Sequence, residues 1–177
     1  MEARIARMTC TRYDRSASCN PVRRPPDVVD HPSLEQVQAA IRRMENFCYP
    51  IVTIATDLEE QHALLVVGGP RRFAVADLTG TWQYERPDGG KQEVRLWASD
   101  QGYYCRERNI IRSRRKVLDL VREFFETGDF AKVAEVANRP EPLKRRAGRA
   151  ANQTVQRTRA ASTLFDLLKE SERGSGR

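Results

Sequence analysis

Between Pro50 and Arg108 the chain alternates apolar and polar residues with a period of two, broken only by short runs of turn-forming residues. Side chains of a strand point alternately to opposite faces, so this pattern predicts strands at 51–56, 62–67, 72–78, 81–86, 93–98 and 103–108. The separators are 57–61, Gly68-Gly69-Pro70, Thr79-Gly80, Pro87-Asp88-Gly89-Gly90 and 99–102, all rich in residues that favour turns. Links this short exclude the crossover that parallel neighbours need, so the strands are expected to form an antiparallel meander of about six strands.

The glycine pair in ALLVVGGPRRFAVA poses a separate question, whether it cradles a phosphate or turns the chain. A phosphate loop opens a helix, whose free N–H groups bind the anion. Here Pro70 follows at once and another strand-like run comes next. The third glycine of G-x-G-x-x-G and the Gly-Lys-Ser/Thr of a P-loop are both missing, so the pair reads as a turn.

Helices bracket this region. Ser33 and Gln36 form a capping box, and Leu34, Val37, Ile41 and Met44 make one apolar stripe behind it. A second helix is predicted from Ser113 to Glu126, with Val117, Leu120, Val121 and Phe124 as its stripe and Thr127-Gly128 as its stop. Its first turn carries Arg114, Arg115 and Lys116, the wrong sign for the helix dipole, which fits an acidic partner nearby or no partner at all. The expected fold class is therefore α+β, an antiparallel sheet flanked on one face by an N-terminal and a C-terminal helix.

Charge divides the chain into three. Residues 1–32 hold 6 arginines against 4 acids, 33–137 hold 15 bases against 16 acids, and 138–177 hold 10 bases against 4 acids. The formal charge of +7 thus belongs to the ends, and the middle carries no general signal for nucleic-acid binding. Residues 1–32, with Pro21, Pro25, Pro26 and Pro32, read as a disordered arm. Residues 33–137 form the domain, and 138–177 form a basic tail with a possible helix at 153–172. Within that tail Lys144, Arg145, Arg146 and Arg149 are the candidates for holding a polyanion, a salt-sensitive and sequence-blind function.

Catalytic chemistry finds little support. Cys10, Cys19, Cys48 and Cys105 contain no C-x-x-C pair and only His31 and His62 accompany them, so neither a metal site nor another cofactor is expected. No motif couples His62 to a nucleophile. The N-terminus MEARIARMTC lacks the apolar core of a secretory signal and no apolar run reaches membrane-spanning length, so a non-membrane protein of the reducing cytoplasm is expected.

Residues suited to binding are more plentiful. Asp57, Glu59 and Glu60 share one loop, and Glu85 and Asp88 stand at a hairpin end. Along 93–98, Val94, Leu96 and Ala98 share a face, which leaves Glu93, Arg95 and Trp97 on the other. If the first set faces the helices, Arg95 and Trp97 project on the open side as interface residues; if the alternation is inverted, Trp97 is core.

The segments SLEQVQAAIRRM, LLVVGGPRRFAVA, GTWQYERPDGG, EVRLWA and VLDLVREFFETGD, in this order over residues 33–129, resemble the bacterial polymorphic-toxin immunity proteins, specifically the first-numbered immunity family. The chain departs from that pattern at ASDQGYYCRERNI, where Cys105 stands in place of a proline, and at FAKVAEVANRP after the second helix. The resemblance implies an α+β fold and a non-catalytic antidote that binds and occludes a cognate toxin domain, often one acting on nucleic acid. A toxin of that kind presents a basic channel, so Asp57, Glu59 and Glu60, then Arg95 and Trp97, then Glu85 and Asp88 are the expected contact residues. The alternative is a non-enzymatic module that binds nucleic-acid phosphate through the tail.

Overall fold

The computed structural model describes residues 4–14, 22–97 and 103–139. Lys144, Arg145, Arg146, Arg149 and the helix expected at 153–172 lie outside these residues, as does Ala98. The fold is α+β, and its main sheet has five antiparallel strands: β1 (Arg7–Asp14), β2 (Val22–Asp30), β3 (Ile51–Ala55), β4 (Ala63–Gly68) and β5 (Phe73–Asp77). Their order across the sheet is β2-β1-β3-β4-β5. A separate hairpin pairs β6 (Glu93–Trp97) with β7 (Tyr103–Arg106). Among the described residues three α-helices accompany these strands, α1 (Leu34–Arg43), α2 (Arg114–Thr127) and α3 (Phe130–Ala137).

The segment expected to be a disordered arm therefore supplies two strands, one of them inside the sheet. Met8 lies opposite both Val29 and Ile54, which puts β1 between β2 and β3. Two features hide this hairpin from a periodicity argument. A bulge between Cys10 and Arg12 breaks the alternation, so Met8 and Cys10 are buried on one register and Tyr13 on the next. Pro25 and Pro26 lie in that same bulge, together opposite the single residue Thr11 on the edge strand β2, where the ladder is already interrupted.

The six-strand meander is corrected in two further ways. Residues 81–86 form no strand; the chain returns beside β5 through a single bridge, Ala76 to Gln83, with Asp77 N–H donating to Trp82 O at 2.9 Å and Tyr84 N–H to Val75 O at 2.8 Å. The cause is Asp77, whose buried carboxylate accepts from the hydroxyls of Thr79 and Thr81 and so curls the chain before a ladder can begin. Strands β6 and β7 then pair only with each other.

Alternate positions on the sheet, Met8 and Cys10, Val52 and Ile54, Leu64 and Val66, Phe73 and Val75, share one apolar core with Val37 and Ile41 of α1, Leu120 and Phe124 of α2, and Val133 of α3. Each such large side chain contributes about 1.5–3 kcal/mol by leaving water. Both longer helices start as their sequences dictate. Ser33 and Gln36 complete the capping box at α1, while Ser113 caps α2, which stops at Gly128 in the left-handed conformation. The third helix, α3, was not anticipated; Asp129 caps it, and Val133 and Val136 are its buried residues.

On β6, Glu93 and Arg95 are exposed while Leu96 is buried and Val94 half-buried. Their apolar side does not face the helices, however. With Tyr103 and Cys105 it packs around Ala74 and Ile110 in a second small cluster. Ala74 alternates with Phe73 and Val75, so this cluster lies on the opposite face of the sheet from the main core.

The glycine pair is a turn. Gly68 and Gly69 have φ of 112° and 115°, and Gly69 N–H donates to Arg72 O at 2.8 Å. A β-carbon on Gly69 would stand 2.6 Å from the Met44 carbonyl oxygen, so only glycine lets the hairpin press on the end of α1.

Candidate functional site

The β3–β4 loop is built by its own first carboxylate. Asp57 accepts from the backbone N–H of Gln61 at 2.9 Å and of His62 at 2.8 Å. These backbone donors hold its carboxyl below the ordinary aspartate range, against a smaller opposing push from desolvation. Glu60 takes a left-handed φ of 57°, and its carboxylate accepts from the Thr9 hydroxyl on β1. Arg7 then spans the same corner, donating to Leu58 O at 2.7 Å and to Asp30 at 2.8 Å. The resulting loop leaves Glu59 and Leu58 as its exposed tip.

His62 ties this loop to the α2–α3 corner. Its Nε2 lies 2.8 Å from Gly128 O, and its ring sits 5.8 Å from that of Phe124 and 5.1 Å from that of Phe130. Arg4 donates to Thr127 O at 2.8 Å from the other side. Glu126 and Asp129, both exposed, stand at the same corner. One end of the sheet is thus a rim carrying Asp57, Glu59, Glu60, Glu126 and Asp129. Its basic residues are engaged: Arg4 and Arg7 as above, and Lys132 with Glu135 at 3.1 Å.

The other expected contact residues lie elsewhere. Glu85 pairs with Arg108, and Asp88 with Arg86 at 2.9 Å, on the chain that returns past β5 toward the far end of the sheet. Arg95 is exposed on the outer side of the β6–β7 hairpin, its guanidinium 5.7 Å from the Tyr104 ring. Trp97 is on β6 opposite Tyr103. The structure therefore brings Asp57, Glu59 and Glu60 together and leaves Glu85, Asp88, Arg95 and Trp97 outside their cluster.

Sequence reasoning missed Thr9, Arg7, Glu126 and Asp129. The last two were legible as acids flanking the helix stop at Gly128, but only the fold sets that stop beside His62.

At the opposite end, the basic first turn of α2 has an internal explanation for one member. Lys116 is buried and donates to Val136 O at 2.7 Å and Arg139 O at 2.9 Å, the carbonyls at the C-terminal end of α3. A cation at a helix C-terminus is favourable, so the negative end of the α3 dipole helps to hold Lys116 in place.

Among the described residues no group of three His, Cys, Asp or Glu converges as a metal site, and no helix is long and apolar enough to cross a membrane. Burial pushes the Cys105 thiol up to about 11, partly offset by Arg72, and so keeps it a poor nucleophile. No family model, curated protein or solved structure matches the chain.

Proposed function

We propose that this protein is a non-enzymatic antidote of the polymorphic-toxin immunity type, which binds a cognate toxin domain acting on nucleic acid and occludes its basic channel with the carboxylate rim. One observation carries the reading. Asp57 and Glu60 are spent on holding the loop in shape, and this presents Glu59 and Leu58 beside Glu126 and Asp129 as a preformed acidic edge with an apolar tip. A preorganised loop avoids an ordering cost on binding, and rim charges speed encounter with a surface of opposite sign. The complex is expected to bury about 1,600 Å² in total.

The test is protection of cells that express the toxin domain encoded beside this protein's gene. Both exposed acids are reversed, Glu59→Lys and Glu126→Lys, since neither supports the loop internally. The double variant should fold normally, lose protection, and associate at least about tenfold more slowly at low salt. Full protection by the double variant removes the rim as the contact surface.

A further inference from the structure

We propose that the opposite end of the sheet is a second contact surface, in which Arg71, Arg72, Arg114 and Arg115 hold the phosphate backbone of a nucleic acid. Three observations build it. First, a bridge between Phe73 and Ile111, with N–H to O distances of 3.0 and 2.8 Å, sets the β4–β5 turn directly against the start of α2. Arg72 on one side and Arg112 on the other flank that bridge, and α2 begins two residues later. Four arginines thus come from two adjoining elements, one packed closely on the end of α1 at Gly69 and the other capped by Ser113.

Second, the arginines around them are matched and these are not. Arg86 pairs with Asp88, Arg108 with Glu85, and Arg112 with Glu107. Among the described residues Arg71, Arg72 and Arg115 have no carboxylate within ion-pair distance, and all three are exposed. Arg114 lies over the Phe73 ring at 5.9 Å, with a buried Nε that meets no acceptor. Lys116 is held by carbonyls at the end of α3, whereas Arg114 and Arg115 oppose the dipole of their own helix and neither makes an ion pair among the described residues.

Third, neither element that carries these arginines presents an exposed large apolar residue. The exposed large apolar residues are Val22, Val28, Phe47, Leu58, Leu78 and Tyr104, and none belongs to the β4–β5 turn or the first turn of α2. Protein interfaces are anchored by buried aromatic or aliphatic groups inside a polar rim. Guanidinium forks without such an anchor match phosphate oxygens, which accept paired N–H donors. This surface is independent of the acidic rim, so failure of either assignment leaves the other standing.

The experiment titrates the full chain against a fluorescein-labelled 20-nucleotide oligo(dT) across a salt series, for wild type, R71A/R72A/R115A and K144A/R145A/R146A/R149A. Each arginine that neutralises a phosphate on a single strand contributes about 0.7 to the slope of log affinity against log salt. The domain variant should therefore lose about 2 from the slope and bind at least about tenfold more weakly at 100 mM salt, with an unchanged thermal midpoint. R115A, a single change on the exposed side of a helix, should lose about 0.7 and guards against misfolding of the triple variant. The proposal is overturned if the domain variants bind within about twofold of wild type while the tail variant loses binding. It is equally overturned if wild type binds no oligonucleotide, or binds polyglutamate as tightly at the same salt.

Discussion

The two ends of the sheet handle charge differently, although exposed ion pairs such as Arg7 with Asp30 occur at the rim as well. At the rim, the carboxylates that shape the loops accept from neutral donors: Asp57 from backbone N–H groups, Glu60 from the Thr9 hydroxyl, and Asp77, through one of its two oxygens, from Thr79 and Thr81. At the far end, arginines meet acids in exposed pairs or meet nothing at all. Exposed pairs contribute only about 0–1 kcal/mol each, so the arginine end owes its shape to packing, whereas the rim owes part of its shape to its charges. The lesson is that a charged residue can be architecture at one end of a domain and free surface at the other.

The largest expected break in this contrast is Phe124→Ala. Phe124 is fully buried between the sheet and α3, its ring 4.8 Å from that of Phe130 and in contact with His62, so its loss should cost about 3–5 kcal/mol and loosen the rim first. Hydrogen exchange at Gln61 and His62 should accelerate before exchange at Phe73. Next is Gly69→Ala, expected to cost about 2–3 kcal/mol by combining a positive φ with a clash against Met44 O. Chemical denaturation should show that loss, with exchange now fastest around the β4–β5 turn.

The smallest effect sharpens the comparison most. Asp57 at the rim and Asp14 at the other end both titrate below the usual 3.8, Asp57 because of backbone N–H donors and Asp14 because of hydrogen bonding to Arg24. A depressed native value means the unfolded chain binds the proton first. The stabilisation is therefore complete above about pH 4 and is lost as the pH falls through the native value. Carboxylate titration by NMR in 0.5 M salt should bring Asp14 back toward 3.8 and leave Asp57 low, since salt screens an exposed arginine and not a backbone hydrogen bond. Equal salt sensitivity would erase the distinction between the ends.

Local signals in the chain carried much of this architecture. Ser33 and Gln36, Ser113 and Gly128, and the Gly68-Gly69 turn all act through residues within a few positions of one another, and each stands where its chemistry predicts. What was illegible depends on distant partners. The alternation of β1 is cut by a bulge, and β2 contains two prolines that are tolerated because they form that bulge on an edge strand. Residues 81–86 alternate like a strand but obey Asp77. In the rim, the acid types were visible, whereas their union with Glu126 and Asp129 depends on His62 reaching Gly128 across the fold.

The place of β1 also divides the sheet into local pairings and one distant pairing. Strands β3, β4 and β5 are joined by short turns, and β1 and β2 make a second hairpin, so each unit can form from contacts near in sequence. Their seam pairs Met8 with Ile54, residues distant in sequence with α1 between them in the chain, so its closure carries a larger loop-entropy cost than either hairpin. Until it closes, β1 and β3 both present bare edges, the feature that invites pairing between chains. A nascent chain of this protein is therefore most vulnerable to its own copies while that single seam stands open.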